Sequence, residues 1–281
     1  MPAIPFGLAN IKDVILSFPK PGILLVTLNR PSRLNAITSQ GHEDLDQVFR
    51  WFDQEPSMRC AILTGTGRAF CVGADLKEWN DGVAIDADTN SPLSRPRRWE
   101  TAGFGGLSNR VGKKPVVAAV NGLCFGGGME MVINCDLVVA AADAARFGLP
   151  EVKRGVVALA GALPRAMRTL GKQRASELIL LGRTYSAHEM KDWGIVNVVI
   201  EDARVEAEAI RVAQEISANS PDSVITSREG LRLGWEPVGP TLATEILGKG
   251  LYGRMDGAEN MKEGLSSFVE KRAPGWKDSK L

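Results

Sequence analysis

Three consecutive glycines, Gly126 to Gly128, stand directly before Met129 and Glu130 in the sequence GLCFGGGMEMVINCD. Glycine loses much backbone entropy on folding, so a run of three requires a reason. Three explanations are open: a loop that binds phosphate, a site of tight packing, and a set of backbone N–H donors aimed at an oxygen. The run matches neither the dinucleotide-binding pattern nor the P-loop pattern, and no lysine follows it, which disfavours phosphate binding.

The apolar run Pro115 to Asn121 predicts a strand before the glycines, and we expect a helix to begin at Gly127 or Gly128. The first amides of a helix lack partners within the helix and carry the positive end of its dipole. They can donate to an oxygen that gains negative charge during a reaction. Glu130 would lie one turn into this helix, beside the atoms next to that oxygen. Packing alone explains one glycine more easily than three.

A second carboxylate, Glu151, follows Pro150 in FGLPEVKRG. A glutamate after a proline is usually a solvated residue in the first turn of a helix. Two carboxylates near one polarised carbonyl would instead form an acid/base pair that adds water across a conjugated double bond. One accepts the proton of the water while the other delivers a proton to the α-carbon.

The composition excludes several other classes of function. The 281 residues include 34 basic and 33 acidic side chains, a net charge of +1, which argues against a nucleic-acid binder. No apolar run approaches the roughly 20 residues that span a bilayer, and the start of the chain lacks the features of a secretory signal. We therefore expect neither membrane insertion nor secretion.

Metal and histidine chemistry are also disfavoured. His42 and His188 are the only histidines, so a histidine-based triad or a zinc site is improbable. The cysteines lack the close pairing of a metal or redox motif, and we expect reduced thiols that pack as small apolar groups: Cys60, Cys71, Cys124 and Cys135.

The first half of the chain predicts an α/β fold. Between the apolar runs Gly22–Arg30 and Cys60–Gly67, Thr38 or Ser39 is a candidate N-cap for a helix. Four apolar residues that follow share one face of this helix: Leu45, Val48, Phe49 and Phe52. The apolar runs that end at turn residues predict buried strands. They are Gly22–Arg30, Cys60–Gly67, Pro115–Gly122 and Asp136–Ala142.

After about residue 160 the pattern becomes helical. Ser186 and Glu189 have the spacing of a capping box, and Gly194 would end that short helix. Two further segments, 205–220 and 257–272, are amphipathic. The polar segment 80–103 lacks periodicity, which is typical of a lid or an insert, and its arginines Arg95, Arg97 and Arg98 either meet a phosphate-bearing ligand or are merely solvated.

Several segments together resemble the crotonase, or enoyl-CoA hydratase/isomerase, superfamily, in the order of that family and from about Val14 to Arg272. They are LNRPSRLNAIT, GRAFCVGADLKEW, KPVVAAVNGLCFGGGMEMVINCDLVVA, RFGLPEVKRG and GRTYSAHEMKDWGIVNVVI. The resemblance implies a spiral of ββα turns over residues 1–205 and a C-terminal helical trimerisation region over 206–281. It also implies homotrimers, often paired into hexamers.

The resemblance also implies a role for particular residues. The amides of Ala74 and Gly127 would form the oxyanion hole for a thioester oxygen, and Glu130 and Glu151 correspond to the two hydratase glutamates. The substrate would be a coenzyme A thioester, with no tightly bound cofactor and no metal. Coenzyme A would contact the RLNA loop and the ADL turn, at Arg33, Leu34, Ala36, Asp75 and Leu76.

The chain departs from typical hydratases after the second glutamate. The family often shows a stretch similar to PGAGGTQRL there, whereas this chain has ALAGALPRAM, with Leu159, Ala162 and Leu163 in place of small or polar residues. An extra residue also lies between Ala140 and Phe147. The departure predicts a pocket shaped for a particular acyl group rather than for a straight chain.

The sequence ends in Ser279, Lys280 and Leu281, which match the import signal read by the peroxisomal receptor. We therefore expect a peroxisomal protein, and peroxisomes carry out much acyl-CoA chemistry.

The leading hypothesis is an acyl-CoA hydratase that reversibly adds water to a 2-enoyl thioester, for a specialised or branched acyl group. A double-bond isomerase that uses one glutamate is the alternative within the family. A non-catalytic protein with this fold that binds RNA or a protein partner is the third, supported only by the arginines of segment 80–103.

Overall fold

The computed structural model describes residues 2, 4–9, 11–78, 102–236 and 238–281. The polar segment 80–103 lies outside these residues apart from its last two, and so do Arg95, Arg97 and Arg98. The described part of the chain contains the strands β1 Val14–Lys20, β2 Ile23–Leu28, β3 Cys60–Gly65, β4 Ala69–Cys71, β5 Val116–Val120, β6 Leu123–Phe125, β7 Leu137–Ala141, β8 Arg146–Gly148, β9 Tyr185–Ser186 and β10 Val198–Ile200.

The helices of the described residues alternate with these strands and then follow them. They are α1 Phe6–Ala9, α2 Ser39–Gln54, α3 Gly127–Ile133, α4 Ala162–Leu180, α5 Ala187–Asp192, α6 Val205–Ser217, α7 Pro221–Trp235, α8 Pro240–Leu247, α9 Gly253–Met255 and α10 Glu259–Val269. The α/β fold and the helical C-terminal part are confirmed. None of the described helices is both long and apolar enough to cross a membrane.

The main sheet has the strand order β1-β2-β3-β5-β7-β10. Only β1 and β2 pair antiparallel; Leu24 lies opposite Ala61, and Ala118 lies opposite Val138, in parallel pairs. Strands β3 and β5 are buried along their whole length, as expected where both faces of a parallel sheet are covered. The four predicted strands are β2, β3, β5 and β7, whereas sequence analysis did not identify the edge strand β1.

The predicted helix starts are confirmed. The Thr38 side chain accepts a hydrogen bond from the Gly41 N–H at 3.1 Å, and the predicted apolar face of α2 is buried. Ser186 and Glu189 form the expected capping box at the start of α5. Gly194 follows this helix with a φ of +90°, which favours glycine.

A second sheet, with the strand order β4-β6-β8-β9, assembles the candidate site. Strands β4, β6 and β8 are parallel, with Cys71 opposite Cys124 and Phe125 opposite Gly148. Because the carboxyl ends of parallel strands lie at the same edge of a sheet, the segments that follow these three strands emerge side by side. Those segments carry Ala74, Gly127 and Glu151.

The C-terminal helices begin against the main sheet. Helix α6 packs on strands β1, β2, β3, β5 and β7, and it begins at Val205, where the predicted boundary between 1–205 and 206–281 falls. That division stays a prediction. The four cysteines are free thiols; Cys60, Cys71 and Cys124 are buried, and Cys135 is partly buried.

Candidate active site

A cavity of about 570 Å³ lies at the edge where β4, β6 and β8 end. Glu130 and Glu151 both line it, together with Ala74 and Gly127. The sequence predicts these four residues at one site, and the structure brings them to one cavity. The apolar wall of this cavity comes from Val72, Phe104, Val156, Val157 and Leu159.

The Ala74 amide is free to donate into the cavity. The Ile37 N–H donates to the Gly73 carbonyl at 2.9 Å, and the Asp75 N–H donates to the Ile37 carbonyl at 3.0 Å. In such a parallel bridge, the residue between the two bonded ones, here Ala74 between Gly73 and Asp75, directs its N–H to the opposite side of the strand. The Ala74 N–H therefore points away from Ile37, and no described protein group accepts from it.

The glycine run has both a packing reason and a chemical one. Gly126 adopts a φ of +55° before α3 begins at Gly127, as predicted. A Cβ at Gly127 would lie 2.4 Å from the Phe104 ring, and one at Gly128 would lie 2.2 Å from the Cys71 carbonyl oxygen. Close packing thus requires glycine at 127 and at 128. It also leaves the first amide of α3 at the cavity wall, without a side chain over it.

Strand β4 and the start of α3 approach each other closely. A Cβ at Gly73 would lie 3.1 Å from the Gly127 amide nitrogen, and Gly73 has a φ of +97°. The Gly105 N–H donates to His42 Nδ1 at 2.9 Å, and the rings of His42 and Phe104 meet edge to face, with their centroids 4.5 Å apart. His42 therefore helps to hold Phe104 against Gly127.

Glu130 is buried, with only 4% of its surface exposed. Its Oε2 accepts a hydrogen bond from the Ala162 N–H at 3.2 Å. Burial, with the nearby Glu151 carboxylate, raises the pKa of Glu130 to about 7, although the amides of Ala162 and Ala160 and the charge of Arg165 act in the opposite direction. This carboxyl can therefore exchange a proton near neutral pH.

Glu151 lies in the first turn of a 3₁₀ helix, Pro150–Arg154, that follows β8. Among the described residues no group hydrogen-bonds to its buried Oε2, and burial raises its pKa. A Cβ at Gly126 would lie 3.4 Å from its Oε1, so the carboxyl reaches the start of α3. It is not the solvated surface residue that a glutamate after a proline usually is.

The predicted coenzyme A contacts surround the cavity mouth, with one difference. Four of the five residues line the cavity: Arg33, Ala36, Asp75 and Leu76. Leu34 does not line it; its carbonyl accepts from the Val72 N–H at 3.3 Å and so joins the loop to the cavity wall.

Asn35, a residue that sequence analysis did not single out, holds this loop in place. It is buried with a φ of +56°, and its side-chain amide donates to the carbonyls of Thr66 and Ala69. Its Oδ1 accepts from the Arg30 N–H at 2.8 Å. These bonds fix the loop that carries Arg33 and Ala36 beside β4.

Several residues that line the cavity were not predicted from the sequence. Phe104 follows the polar segment and carried no signal, because its role depends on contact with a distant glycine. Lys77 and Arg154 also line the cavity, and Arg154, three residues after Glu151 on the same short helix, was the one that spacing alone could have found. Of the three residues at the departure from the family, Leu159 lines the cavity and Ala162 holds Glu130.

We expect Glu130→Gln to stabilise the protein at about pH 8 and to change its stability little at about pH 4. The pKa of about 7 in the folded state exceeds the ordinary value of 4.5, so the stability from protonated Glu130 is full below 4.5 and is lost as the pH rises to about 7. Glutamine removes this cost, which is about 3 kcal/mol at most. Urea unfolding at both pH values measures the difference.

The matched control for that measurement is Glu206→Gln, at an exposed position on α6. It should change stability little at either pH. An equal effect of Glu130→Gln at both pH values would contradict the raised pKa.

Comparisons with known proteins identify the family of this chain. The family model described as Enoyl-CoA hydratase/isomerase matches residues 19–279. The chain is 59% identical over 272 residues to mevalonyl-coenzyme A hydratase SIDH of Beauveria bassiana, covering 96% of this chain and 97% of the relative. It is 48% identical over 272 residues to mevalonyl-coenzyme A hydratase sidH of Aspergillus fumigatus, covering 97% of each.

A solved structure extends the agreement to the fold. The crystal structure of enoyl-CoA hydratase from Bacillus anthracis superposes with a TM-score of 0.84 at 31% identity, covering 95% of this chain and all of that one. The crotonase-type fold predicted from the sequence is confirmed. The chain therefore belongs to the enoyl-CoA hydratase/isomerase family, the crotonase superfamily.

Proposed function

We propose that the acyl group on which this protein acts is the mevalonyl group, a 3-methyl-3,5-dihydroxypentanoyl chain carried on coenzyme A. The protein is an acyl-CoA hydratase, a hydro-lyase that acts on a specialised acyl group. The mevalonyl group is supported by two relatives whose names specify mevalonyl-coenzyme A and which match nearly the whole chain.

One observation carries the catalytic assignment: two carboxyl groups with raised pKa values line the same cavity as two free backbone amides. We assign the Ala74 and Gly127 amides to the thioester oxygen of the substrate. They stabilise the negative charge that moves onto this oxygen when C2 loses a proton, and each such donor contributes roughly 3 kcal/mol in similar sites.

Glu130 and Glu151 move the protons. In dehydration, the ionised carboxylate of the pair removes a proton from C2, and the protonated carboxyl gives its proton to the 3-hydroxyl group. The C3–O bond breaks, water leaves and a 2-enoyl thioester remains. Hydration is the reverse of these steps.

The raised pKa values of Glu130 and Glu151 suit the roles of proton donor and proton acceptor. At neutral pH the reaction needs one carboxylate and one carboxylic acid, and two buried carboxyls that influence each other do not readily ionise together. The negative charge of Glu151 raises the pKa of Glu130, so Glu130 can hold a proton while Glu151 is ionised.

The cavity wall supports a branched acyl group. Val156, Val157 and Leu159 give it an apolar side, and Leu159 occupies a position at which the family often has a small residue. A methyl group on C3 adds apolar volume at the reacting carbon, which such a wall can contact. Discrimination against a straight chain by one methyl group is worth about tenfold or more.

At the cavity mouth, the cations Arg33 and Lys77 can meet the phosphates of coenzyme A. The Asp75 carboxylate is itself an anion and does not bind phosphate; it pairs with Arg30 at 2.8 Å and accepts from the Lys77 N–H at 3.1 Å. Its contribution is to fix the turn that carries Leu76 and Lys77.

Single replacement of either glutamate tests the reaction. We expect Glu130→Gln and Glu151→Gln each to lower kcat by about 10² or more, with Glu206→Gln as the control that keeps full activity. The assay follows the conjugated enoyl thioester chromophore. Full activity in either cavity variant would contradict the two-carboxylate mechanism, and double-bond migration without uptake of water would make the protein an isomerase.

The same assay tests the acyl group when it is run with mevalonyl-CoA, with 3,5-dihydroxypentanoyl-CoA, a straight-chain thioester that lacks only the methyl group, and with their 2-enoyl counterparts. We expect kcat/KM for mevalonyl-CoA to exceed that for the straight-chain thioester by about tenfold or more. Equal values would contradict the mevalonyl proposal and leave the hydratase activity intact.

Peroxisomal location is a second proposal, and it rests on the tripeptide Ser279-Lys280-Leu281. An N-terminally fused fluorescent reporter should accumulate in peroxisomes. Deletion of Leu281 should leave the reporter diffuse, because the receptor reads the whole tripeptide, whereas Lys277→Ala should not. A diffuse unaltered fusion would contradict the proposal.

Assembly into homotrimers, alone or paired as hexamers, is the third proposal. Large apolar side chains on the C-terminal helices lie open to solvent in the single chain, including Phe268 with 84% and Val269 with 78% of their surface exposed. Burial of such groups drives association. Light scattering should give the mass of three or six chains, and Phe268→Asp should lower it while Lys262→Glu, on the same helix, should not. A monomeric unaltered protein would contradict the proposal.

A further inference from the structure

Two hydrogen bonds connect helix α3 to the start of helix α4. The Ala162 N–H donates to Glu130 Oε2 at 3.2 Å, and Arg165 Nε donates to Asn134 Oδ1 at 2.7 Å. Asn134 directly follows α3, four residues after Glu130 and still with helical backbone angles, so the two residues lie on one face a single turn apart. Ala162 and Arg165 lie in the first turn of α4. The first bond holds the Glu130 carboxyl at the start of α4, and the second holds the end of α3 beside the same turn.

Arg165 also holds the turn before α4. Its Nη1 donates to the Gly161 carbonyl at 3.1 Å. Gly161 has a φ of +116°, and a Cβ there would lie 2.5 Å from Arg165 Nη1, so the guanidinium occupies the space of a side chain at this position. From the other side, Ser108 Oγ donates to the Ala160 carbonyl at 2.7 Å. The Ala160 and Ala162 amides, which face Glu130, thus belong to one short turn. Both the Ala160 and the Gly161 carbonyls of this turn accept hydrogen bonds from side chains.

The charge of Arg165 acts on the same carboxyl. Arg165 is 7% exposed, and in the described part of the chain no carboxylate lies within ion-pair distance of it. Burial lowers the pKa of Arg165, and the charge of Arg168 acts in the same direction. The carboxylates of Glu236 and Glu130 act in the opposite direction and favour the charged guanidinium. Around Glu130, Glu151 opposes ionisation, whereas Arg165 and the Ala160 and Ala162 amides favour it.

We propose that Arg165 is a positioning residue for Glu130. Together with Asn134, it fixes the turn whose amides hold this carboxylate, and it places a buried positive charge beside it. The proposal rests on the hydratase activity of the family and is independent of the mevalonyl group. Arg165 does not line the cavity and is not assigned any contact with substrate.

Three variants separate the charge of Arg165 from its hydrogen bonds: Arg165→Met removes both, Arg165→Lys keeps the charge, and Asn134→Ala removes one partner. We expect all three to lower kcat by about tenfold or more, as loss of groups that orient a reacting residue does, while KM changes less than about threefold. The control is Lys172→Met, further along α4 and exposed, which should leave kcat unchanged.

The pH profile of kcat/KM gives the readout that a merely structural role would not move. Hydration needs one carboxylate and one carboxylic acid, so the profile is bell-shaped. In Arg165→Met, loss of the positive charge should move the limb set by Glu130 to higher pH by about one pH unit. In Arg165→Lys, that limb should stay at its original pH.

A lower kcat in Arg165→Met with an unchanged pH profile would overturn the proposal, because it would reduce Arg165 to a structural role. If Arg165→Met does not fold, the other two variants decide, and unchanged kcat in both overturns it. The unaltered protein, measured with the acyl-CoA that it converts fastest, establishes the hydratase activity in the same experiment. Failure of this proposal is therefore distinguishable from absence of the activity.

Discussion

The parallel pairing of β4, β6 and β8 is the constraint on which the candidate site depends. Each strand is only three residues long, yet the shared direction brings the chain to the same edge three times. If one strand ran in the opposite direction, its following segment would lie at the other edge, far from the remaining two. The Gly126 N–H, which donates to the Gly148 carbonyl at 3.1 Å, extends this pairing to the residue that precedes α3.

Packing and chemistry are not alternative explanations of the glycine run. The absence of side chains lets α3 approach the Phe104 ring and the Cys71 carbonyl at distances that a Cβ would forbid. The same absence leaves the Gly127 amide open at the cavity wall. A tight core is therefore the means by which a backbone donor is held rigidly, and rigid donors stabilise developing charge without reorganisation.

The sequence predicts the parts of the fold that have a local signal. Long apolar runs identify four strands of the main sheet, and the side chains of Thr38, Ser186 and Glu189 identify two helix starts. Strands of two or three residues, as in β4, β8 and β9, are too short to show a period. Phe104 and Arg165 act through contacts with residues that lie more than 20 positions away, so no local pattern could assign their roles.

The sequence after Glu151 differs from that of typical hydratases, yet the Glu130 carboxyl is still held in place. The residues that hold it explain why. The groups that face its oxygen atoms from this turn are the Ala160 and Ala162 amides, and a backbone amide is present whatever the side chain. Leu159 can therefore reshape the acyl wall while its neighbours continue to hold Glu130. What must be kept is the course of the backbone, which depends on Gly161 and on the buried guanidinium that fills the space beside it. Acyl selectivity and proton transfer are thus carried by different atoms of the same short turn.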